Sequence, residues 1–506
     1  MLLVSAAQAT NWVSPDGKLG FDLPTDGSLT EIKTRAFRTN RHMEAFMDQF
    51  TRSAIFFLAA LVAGCAAPNE RVDVSQVQNL VGDPVHLPVR WNQHSTGDAA
   101  VEQKIKALLK KPIGVDNAVQ IALLNNRSLQ ATYEDLGIAQ ADLVQAGLLK
   151  NPNFFASIRF PNQGPASPDA EFSIAADFLD MLLVPLRKQI AADQLAAAQR
   201  RVADAVLEMQ HQVRVAFYTY QARRQAAMVQ KTILDAQLAS LELSRQQHKA
   251  GNISDLDLAS EEANYSSMQL DVSRTEAQAQ ADREAVTALL GLWGGNASSW
   301  QAAEKLPELP EKESPMADLE NRAIAQRLDL DAERRQTQLI AQSLGLAEQF
   351  RLSGIQIGFD VNRRDPTEHY VTVAGPTLSV ELPIFDQKQG EIARLQAEYR
   401  QGIDRLTAMA IDIRSQVRTA RDRLSAARQT AALYRDHIIP QRQQVTKLSE
   451  LHYNVMLLGV DRWLMARQAE ESAYREYIEA VRDYWIARAD LERAVGGRLG
   501  GTPDAE

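Results

Sequence analysis

The chain has 506 residues, with 55 Lys and Arg against 64 Asp and Glu, a net charge of −9. That balance argues against a nucleic-acid binder, which shows a basic face, and a single cysteine excludes an internal disulfide and any C-x-x-C metal or redox motif. A 45% share of hydrophobic residues is enough for a sizeable core, yet no run reaches the roughly 18 uncharged apolar residues of a membrane-spanning helix.

Residues 1–42 have no signal character and no clear periodicity, and read as an over-extended N-terminus ahead of a start at Met43 or Met47. Residues 43–64 read as a signal peptide. The longest apolar run, SAIFFLAALVA at 53–63, has the length of a secretory h-region and is too short to span. The four residues Val62-Ala63-Gly64-Cys65 resemble a bacterial lipobox, in which the cysteine is acylated and becomes the first residue of the mature chain. Cys65 is therefore the expected lipid attachment site; the alternative is a buried cysteine in a short core helix. Ala66, rather than Asp, fits the outer-membrane variant of that pattern. Residues 65–112 carry Pro68, Pro84, Pro88 and Pro112, with one short helical patch near 99–110, and read as an extended arm behind the anchor.

Two similar units follow, 113–293 and 316–497, joined by a linker at 294–315 rich in Gly, Pro and charge and followed by a tail at 498–506. Each unit opens on a related motif, AVQIALLNNRSL at 118–129 and LENRAIAQRLDL at 319–330. Two strand patterns come next. In the first unit NFFASIRF (153–160) and EFSIAADF (171–178) alternate with period two. In the second, GIQIGFDV (354–361) and VTVAGPTLSVEL (371–382) do the same, and a change of apolar parity at Gly375-Pro376 predicts a bulge or bend there. Long helices close each unit. Leu186 to Ala250 contains no Gly or Pro and would run about 98 Å as one helix; Gly251 breaks it and Asn252–Leu290 forms its partner. Glu391 to Ile439 is interrupted only by Gly402, Pro440 predicts a kink or joint, Gln441–Leu458 continues, Gly459 turns and Val460–Val495 returns. The stripe Val202, Val206, Met209, Val213, Ala216, Tyr220 matches Leu406, Ala410, Ile413, Val417, Ala420, Leu424 at a constant offset of 204 residues. Such spacing is that of knobs-into-holes packing.

The strands pose a closure problem. A sheet in a membrane cannot leave an edge open, because unpaired backbone groups are costly in lipid, and known barrels start at about eight strands. One chain offers four. If they span a membrane, several chains must share one barrel; half-buried hairpins of a soluble protein would show the same alternation.

The segment AVQIALLNNRSLQATYEDLGIAQADLVQAGLLKNP at 118–152, with HKAGNISDLDLASEE at 248–262 and HYNVMLLGVDRWLMARQAEE at 452–471, resembles the outer membrane efflux protein family, the TolC-like outer membrane factors, in their lipoprotein form. The likeness extends over about 113–497. DFLDMLLVPLRKQIAADQL at 177–195 departs from the shorter, Gly-containing linker of that family. The resemblance implies a mainly α fold with a small β part: a long helical-hairpin barrel plus four transmembrane β-strands per chain, the homotrimer closing a twelve-stranded β-barrel. It implies a passive exit channel of a tripartite efflux system in the bacterial outer membrane. The chain would be lipid-anchored, would extend into the periplasm, and would be served by a periplasmic adaptor protein and an inner-membrane pump. No enzyme activity and no cofactor beyond the lipid on Cys65 is expected, since neither a P-loop nor a nucleophile motif occurs.

In that family the hairpin tips close the periplasmic entrance and meet the adaptor. The matching positions are Gly251, Asp255, Asp257, Gly459, Asp461 and Arg462. A threefold ring of Asp255, Asp257 or Asp461 would attract cations, with Arg462 a partner; the plainer alternative is that these aspartates cap helices. Trp293, Trp463 and Trp485 are read as packing residues. The competing reading of the whole chain is a periplasmic coiled-coil structural or adaptor lipoprotein without channel activity.

Overall fold

The structure is a computed structural model that describes residues 75–81, 90–92, 98–160, 168–313, 316–351, 354–364 and 371–499. The signal peptide, Cys65, residues 66–74, 82–89 and 93–97 of the predicted arm, and the tail from residue 500 lie outside the described residues.

Two helices lie in the predicted arm, α1 (Ser75–Val81) and α2 (Asp98–Leu108), and the first repeat then begins with α3 (Val115–Asn125) and α4 (Arg127–Gly147). Asn126 separates the last two and caps α4, its side chain accepting from the Leu129 N–H at 3.0 Å. Strands β1 (Asn153–Arg159) and β2 (Asp169–Asp177) follow, then the 72-residue helix α5 (Phe178–Lys249) and its partner α6 (Asp255–Leu289). The second repeat repeats the order with α8 (Leu319–Gln326), α9 (Leu328–Gln349), β3 (Ile355–Arg364), β4 (Val371–Val380), α10 (Gln389–Leu433), α11 (Ile439–Asn454) and α12 (Val460–Val495); a short α7 (Gly295–Ser299) lies between.

Two boundaries differ from the sequence expectation. Helix α5 starts at Phe178 rather than Leu186, because Asp177 caps it by accepting from the Asp180 N–H at 3.0 Å. Pro185 is then carried inside the helix, where it costs one backbone donor. At Pro440 the structure shows no break. Residues Tyr434–Ile438 form a π-helical turn, in which the Ile439 N–H reaches the Tyr434 carbonyl, and α11 follows without a gap. A widened turn is one way a helix accommodates a proline that offers no N–H and crowds the preceding turn.

The predicted heptad stripes are buried. Val202, Val206 and Val213 are fully enclosed, as are Ile413, Val417 and Leu424 in the second copy. Each stripe belongs to its own core: the first with Ile121, Tyr133, Phe217 and Trp300, the second with Ala323, Tyr484 and Leu491. The seam between the cores is ionic. Arg493 on α12 forks onto Asp204 on α5, with both N···O distances 2.9 Å, and reaches Glu208 at 2.8 Å. Arg214 meets Glu492 at 2.5 Å, His211 meets Asp490 at 2.7 Å, and Arg200 pairs with Asp331. The linker is a strap against both repeats rather than a free connector. Ile113 bridges Ala302, Arg224 donates to the Ala302 carbonyl at 2.9 Å, and Arg428 and Arg488 both hold Glu313.

The four strands form one antiparallel sheet in the order β1-β2-β3-β4. Its register places Phe154, Ile174, Phe359 and Pro376 in one row, and Ala156, Phe172, Val361 and Ala374 in the next. The alternation read separately on each strand thus lands on a single face. No bulge occurs at Gly375-Pro376, since the β3–β4 pairing runs unbroken from Ile355↔Val380 to Arg364↔Val371. The reason lies in the hydrogen-bond phase. The Glu381 N–H donates to the Gly354 carbonyl, and bonded pairs alternate along an antiparallel ladder. Pro376 therefore turns its nitrogen away from β3, toward the free edge, where a missing donor does not interrupt the pairing. The parity change means only that Val371 and Val373 lie on the opposite face.

Candidate functional site

The tip of the first hairpin is built around a glycine and a capping box. Gly251 adopts φ +76°, a conformation in which a side chain would be strained, and its N–H and that of Asn252 close the end of α5 on the His248 and Gln247 carbonyls. Ser254 caps α6: its hydroxyl accepts from the Asp257 N–H at 3.1 Å while Asp257 accepts from the Ser254 N–H at 3.1 Å and hydroxyl at 2.7 Å. Those bonds from the Ser254 side chain and backbone hold the Asp257 carboxyl below its ordinary value. Asp257 therefore has the capping geometry. Asp255, whose side chain is 98% exposed, hydrogen-bonds His248 at 2.7 Å. His248 was not singled out in the sequence. Only the turn brings it, seven residues earlier, beside Asp255.

In the second tip Gly459 is the N-cap of α12 and Arg462 is exposed; the Asp461 side chain lies outside the description. Tyr453 and Trp463 stack across the turn, their ring centroids 5.6 Å apart and nearly parallel. Met456 sits at φ +60° and is 94% exposed, between exposed Val455 and Leu457. This apolar point was missed in the sequence, although NVMLLG is an unusual composition for a turn. The structure thus gathers Gly251, Asp255 and Asp257 at one tip and Gly459, Asp461 and Arg462 at another. Among the described side chains, no hydrogen bond or ion pair joins the two.

The remaining tryptophans divide. Trp485 packs as expected, stacked on Tyr218 and donating to the Pro307 carbonyl at 2.9 Å. Trp293 does not, being 83% exposed just beyond α6.

At the seam between repeats lies a cleft of about 560 Å³ lined by Glu208, His211, Arg327, Asp412, Asp490 and Arg493, among others. Burial pushes the Asp204 carboxyl beneath it up, and the Arg493 fork opposes that. The arrangement is a mixed-charge joint. Among the described residues, no group of three His, Cys, Asp or Glu could hold a metal ion.

The sheet is the other distinctive surface. Phe154, Ile158, Phe172, Ile174, Ile357, Phe359, Leu378 and Val380 share its apolar face and are all exposed. The opposite face carries Ser157, Arg159, Glu171, Asp360 and Thr377, with Arg159 and Glu171 paired at 2.9 Å. Both edges are free of partners within the sheet. No helix among the described residues is long and apolar enough to cross a membrane.

No protein-family model matches the chain. It is 20% identical over 394 residues to the cobalt-zinc-cadmium resistance protein CzcC of Cupriavidus metallidurans, covering 76% of this chain and 90% of that one. Its fold superposes on the CmeC outer membrane channel of Campylobacter jejuni with a TM-score of 0.62 at 14% identity, covering 77% of this chain and 87% of the other. The outer membrane protein VceC of Vibrio cholerae gives 0.62 at 15% identity, with 76% and 96% covered. CusC, whose structures concern transmembrane channel formation, gives 0.62 at 13% identity, with 76% and 92% covered. The fold implied by the resemblance is borne out: it is that of the TolC-like outer membrane channels.

Proposed function

We propose that this chain, which has the fold of the TolC-like channels, is the outer-membrane exit duct of a tripartite efflux system. Three copies join their four-stranded sheets into a twelve-stranded barrel, and their helices extend into the periplasm. An inner-membrane pump delivers cargo through a periplasmic adaptor, and the duct itself is passive.

The observation that carries this reading is the register of the sheet. Eight large apolar side chains are exposed on one face, while the other carries Arg159, Glu171, Asp360 and the hydroxyl groups, with Phe155, Val371 and Val373 the apolar exceptions. That is the two-sidedness of a barrel wall, lipid outside and water inside. An isolated sheet with two open edges has no stable place in lipid, so β1 and β4 must meet neighbours, and a neighbour strand along β4 would find one donor missing, at Pro376. The hairpin tips supply the adaptor contact: the exposed Val455-Met456-Leu457 point beside Gly459 and Arg462, and the Asp255–His248 corner beside Gly251. The relative's name makes cobalt, zinc and cadmium the first cargo to assay.

The lipobox supports acylation of Cys65, which mass analysis of the membrane-extracted protein tests directly. The duct itself is tested by detergent extraction and reconstitution in planar bilayers. Trimers with discrete single-channel conductance are expected; a monomer without conductance would establish the spacer or adaptor lipoprotein instead.

A further inference from the structure

The chain passes between sheet and helices four times, and all four crossings lie at one end of the sheet, because Asn153 pairs with Ala175, Asp177 with Gln356 and Ile355 with Val380. Each crossing holds apolar residues with a base further along, and the one after β4 also carries the exposed acids Glu381 and Asp386. Before β1 it is Leu148-Leu149-Lys150, all exposed. Before β3 it is half-buried Phe350 and exposed Arg351. After β4, Phe385 is 90% exposed and Lys388 follows at the cap of α10.

The fourth crossing, after β2, shows which way this chemistry faces. Phe178 continues the even-numbered, apolar face of β2, and Met181 and Leu182 lie one helical turn further on the same stripe, all three exposed. Lys188 lies on that stripe too, seven residues and about 10 Å beyond Met181. The headgroup layer on either side of the roughly 30 Å hydrocarbon core is only some 5–8 Å deep. With acyl chains in contact at Leu182, the Lys188 backbone lies about 9 Å further on, just past that layer, and its long side chain, which leans back toward the helix N-terminus, returns the ammonium to the phosphates. Lys150 is partly matched by Asp177 and Asp180, at 3.4 and 3.3 Å. By contrast, Lys188, Arg351 and Lys388 have no ion-pair partner among the described residues, whereas Arg187 beside them is paired with Asp180 at 3.0 Å. Unpaired bases just below an apolar band are complementary to an anionic interface.

We propose that the four crossings form a collar that binds anionic phospholipid headgroups of the periplasmic leaflet through Lys188, Arg351 and Lys388. The inference rests on the outer-membrane reading above. It also accounts for the longer segment at 177–195, which adds a turn of apolar helix and a base where a shorter linker would leave the membrane at once.

The test uses the full chain, delipidated in detergent and titrated with phosphatidylglycerol or phosphatidylethanolamine, with bound lipid counted by native mass spectrometry. Wild type is expected to prefer phosphatidylglycerol. Lys188→Gln or Lys388→Gln should each weaken that binding roughly fivefold, the worth of one base near an anionic surface, and the triple variant with Arg351→Gln should lose the preference. Lys188→Arg should keep it. No preference in wild type, or one unchanged in the triple variant, overturns the collar, as does loss of the trimer in the triple variant, which would make the crossings an interface between copies. Conductance separates the two readings: a wild type that conducts without a lipid preference refutes the collar alone, whereas one that neither trimerises nor conducts refutes the channel.

Discussion

Replacing Phe359 by Arg tests whether the apolar face of the sheet meets lipid. Phe359 is the fifth of ten residues in β3, flanked by Ile174 and Pro376 and 47% exposed. At about 3.3 Å per residue and a tilt near 45°, the strand rises roughly 23 Å, close to the ~25 Å apolar band of a barrel, so Phe359 falls near its middle. Arg at that depth costs about 2–4 kcal/mol, roughly a 30- to 1000-fold loss in the folded fraction for each chain. Asp360→Arg, one residue along on the polar face, should cost no more than about 1 kcal/mol, because its side chain stays in water. Phe359→Ala separates lost packing from the cost of burying charge. The assay is urea-dependent folding into lipid vesicles, read as the trimer band of an unheated gel. Equal tolerance at positions 359 and 360, or greater damage at 360, would refute the lipid-facing assignment and the duct with it.

Arg493→Met should lower the thermal midpoint clearly. It leaves Asp204, whose side chain is only 20% exposed, without its partner, a loss on the order of 3–5 kcal/mol. Adding Asp204→Leu should recover much of it, and a double variant no better than the single would argue against the ionic seam. A Cβ at Gly402 would sit 2.8 Å from the Thr337 hydroxyl oxygen and 3.1 Å from its methyl. Gly402→Ala should therefore destabilise by about 1–2 kcal/mol, yet stabilise by up to about 1 kcal/mol once Thr337→Ala has cleared the space, a reversal that calorimetry in detergent would show. Because Ser254 lowers the Asp257 carboxyl, the capping box contributes above the ordinary aspartate value near 4 and is lost as pH falls through the lowered one. Ser254→Ala should raise the Asp257 midpoint in a carboxyl-resolved NMR titration; an unchanged midpoint would deny the bond.

Much of the fold is legible without coordinates because its signals are local. The stripe from Val202 to Tyr220 and its copy at Leu406 to Leu424 mark helices by spacing alone, and the strands declare themselves by alternation, with one change of parity at Gly375-Pro376. The turn at Gly251 is readable because its positive φ favours glycine, whereas Gly459 marks the second turn as the extended N-cap of α12. What failed to read is what depends on a distant partner. Pro376 suggested a bulge because its nitrogen's direction is set by pairing with β3. Pro185 suggested a helix start, although the cap is Asp177. Asp255 looked like a lone carboxylate until the turn set His248 against it.

Periodicity, a property of neighbours in the chain, already determined the helices, the strands, the duplication and the impossibility of closing a barrel with one copy. It could not determine that all four apolar strand faces coincide, that the seam between repeats is held by Arg493, Asp204 and Glu208, or that the linker is a packed strap. Those are agreements between segments far apart in sequence. They arise only when backbone pairing and burial force each segment to choose the same register, and that choice belongs to the tertiary structure.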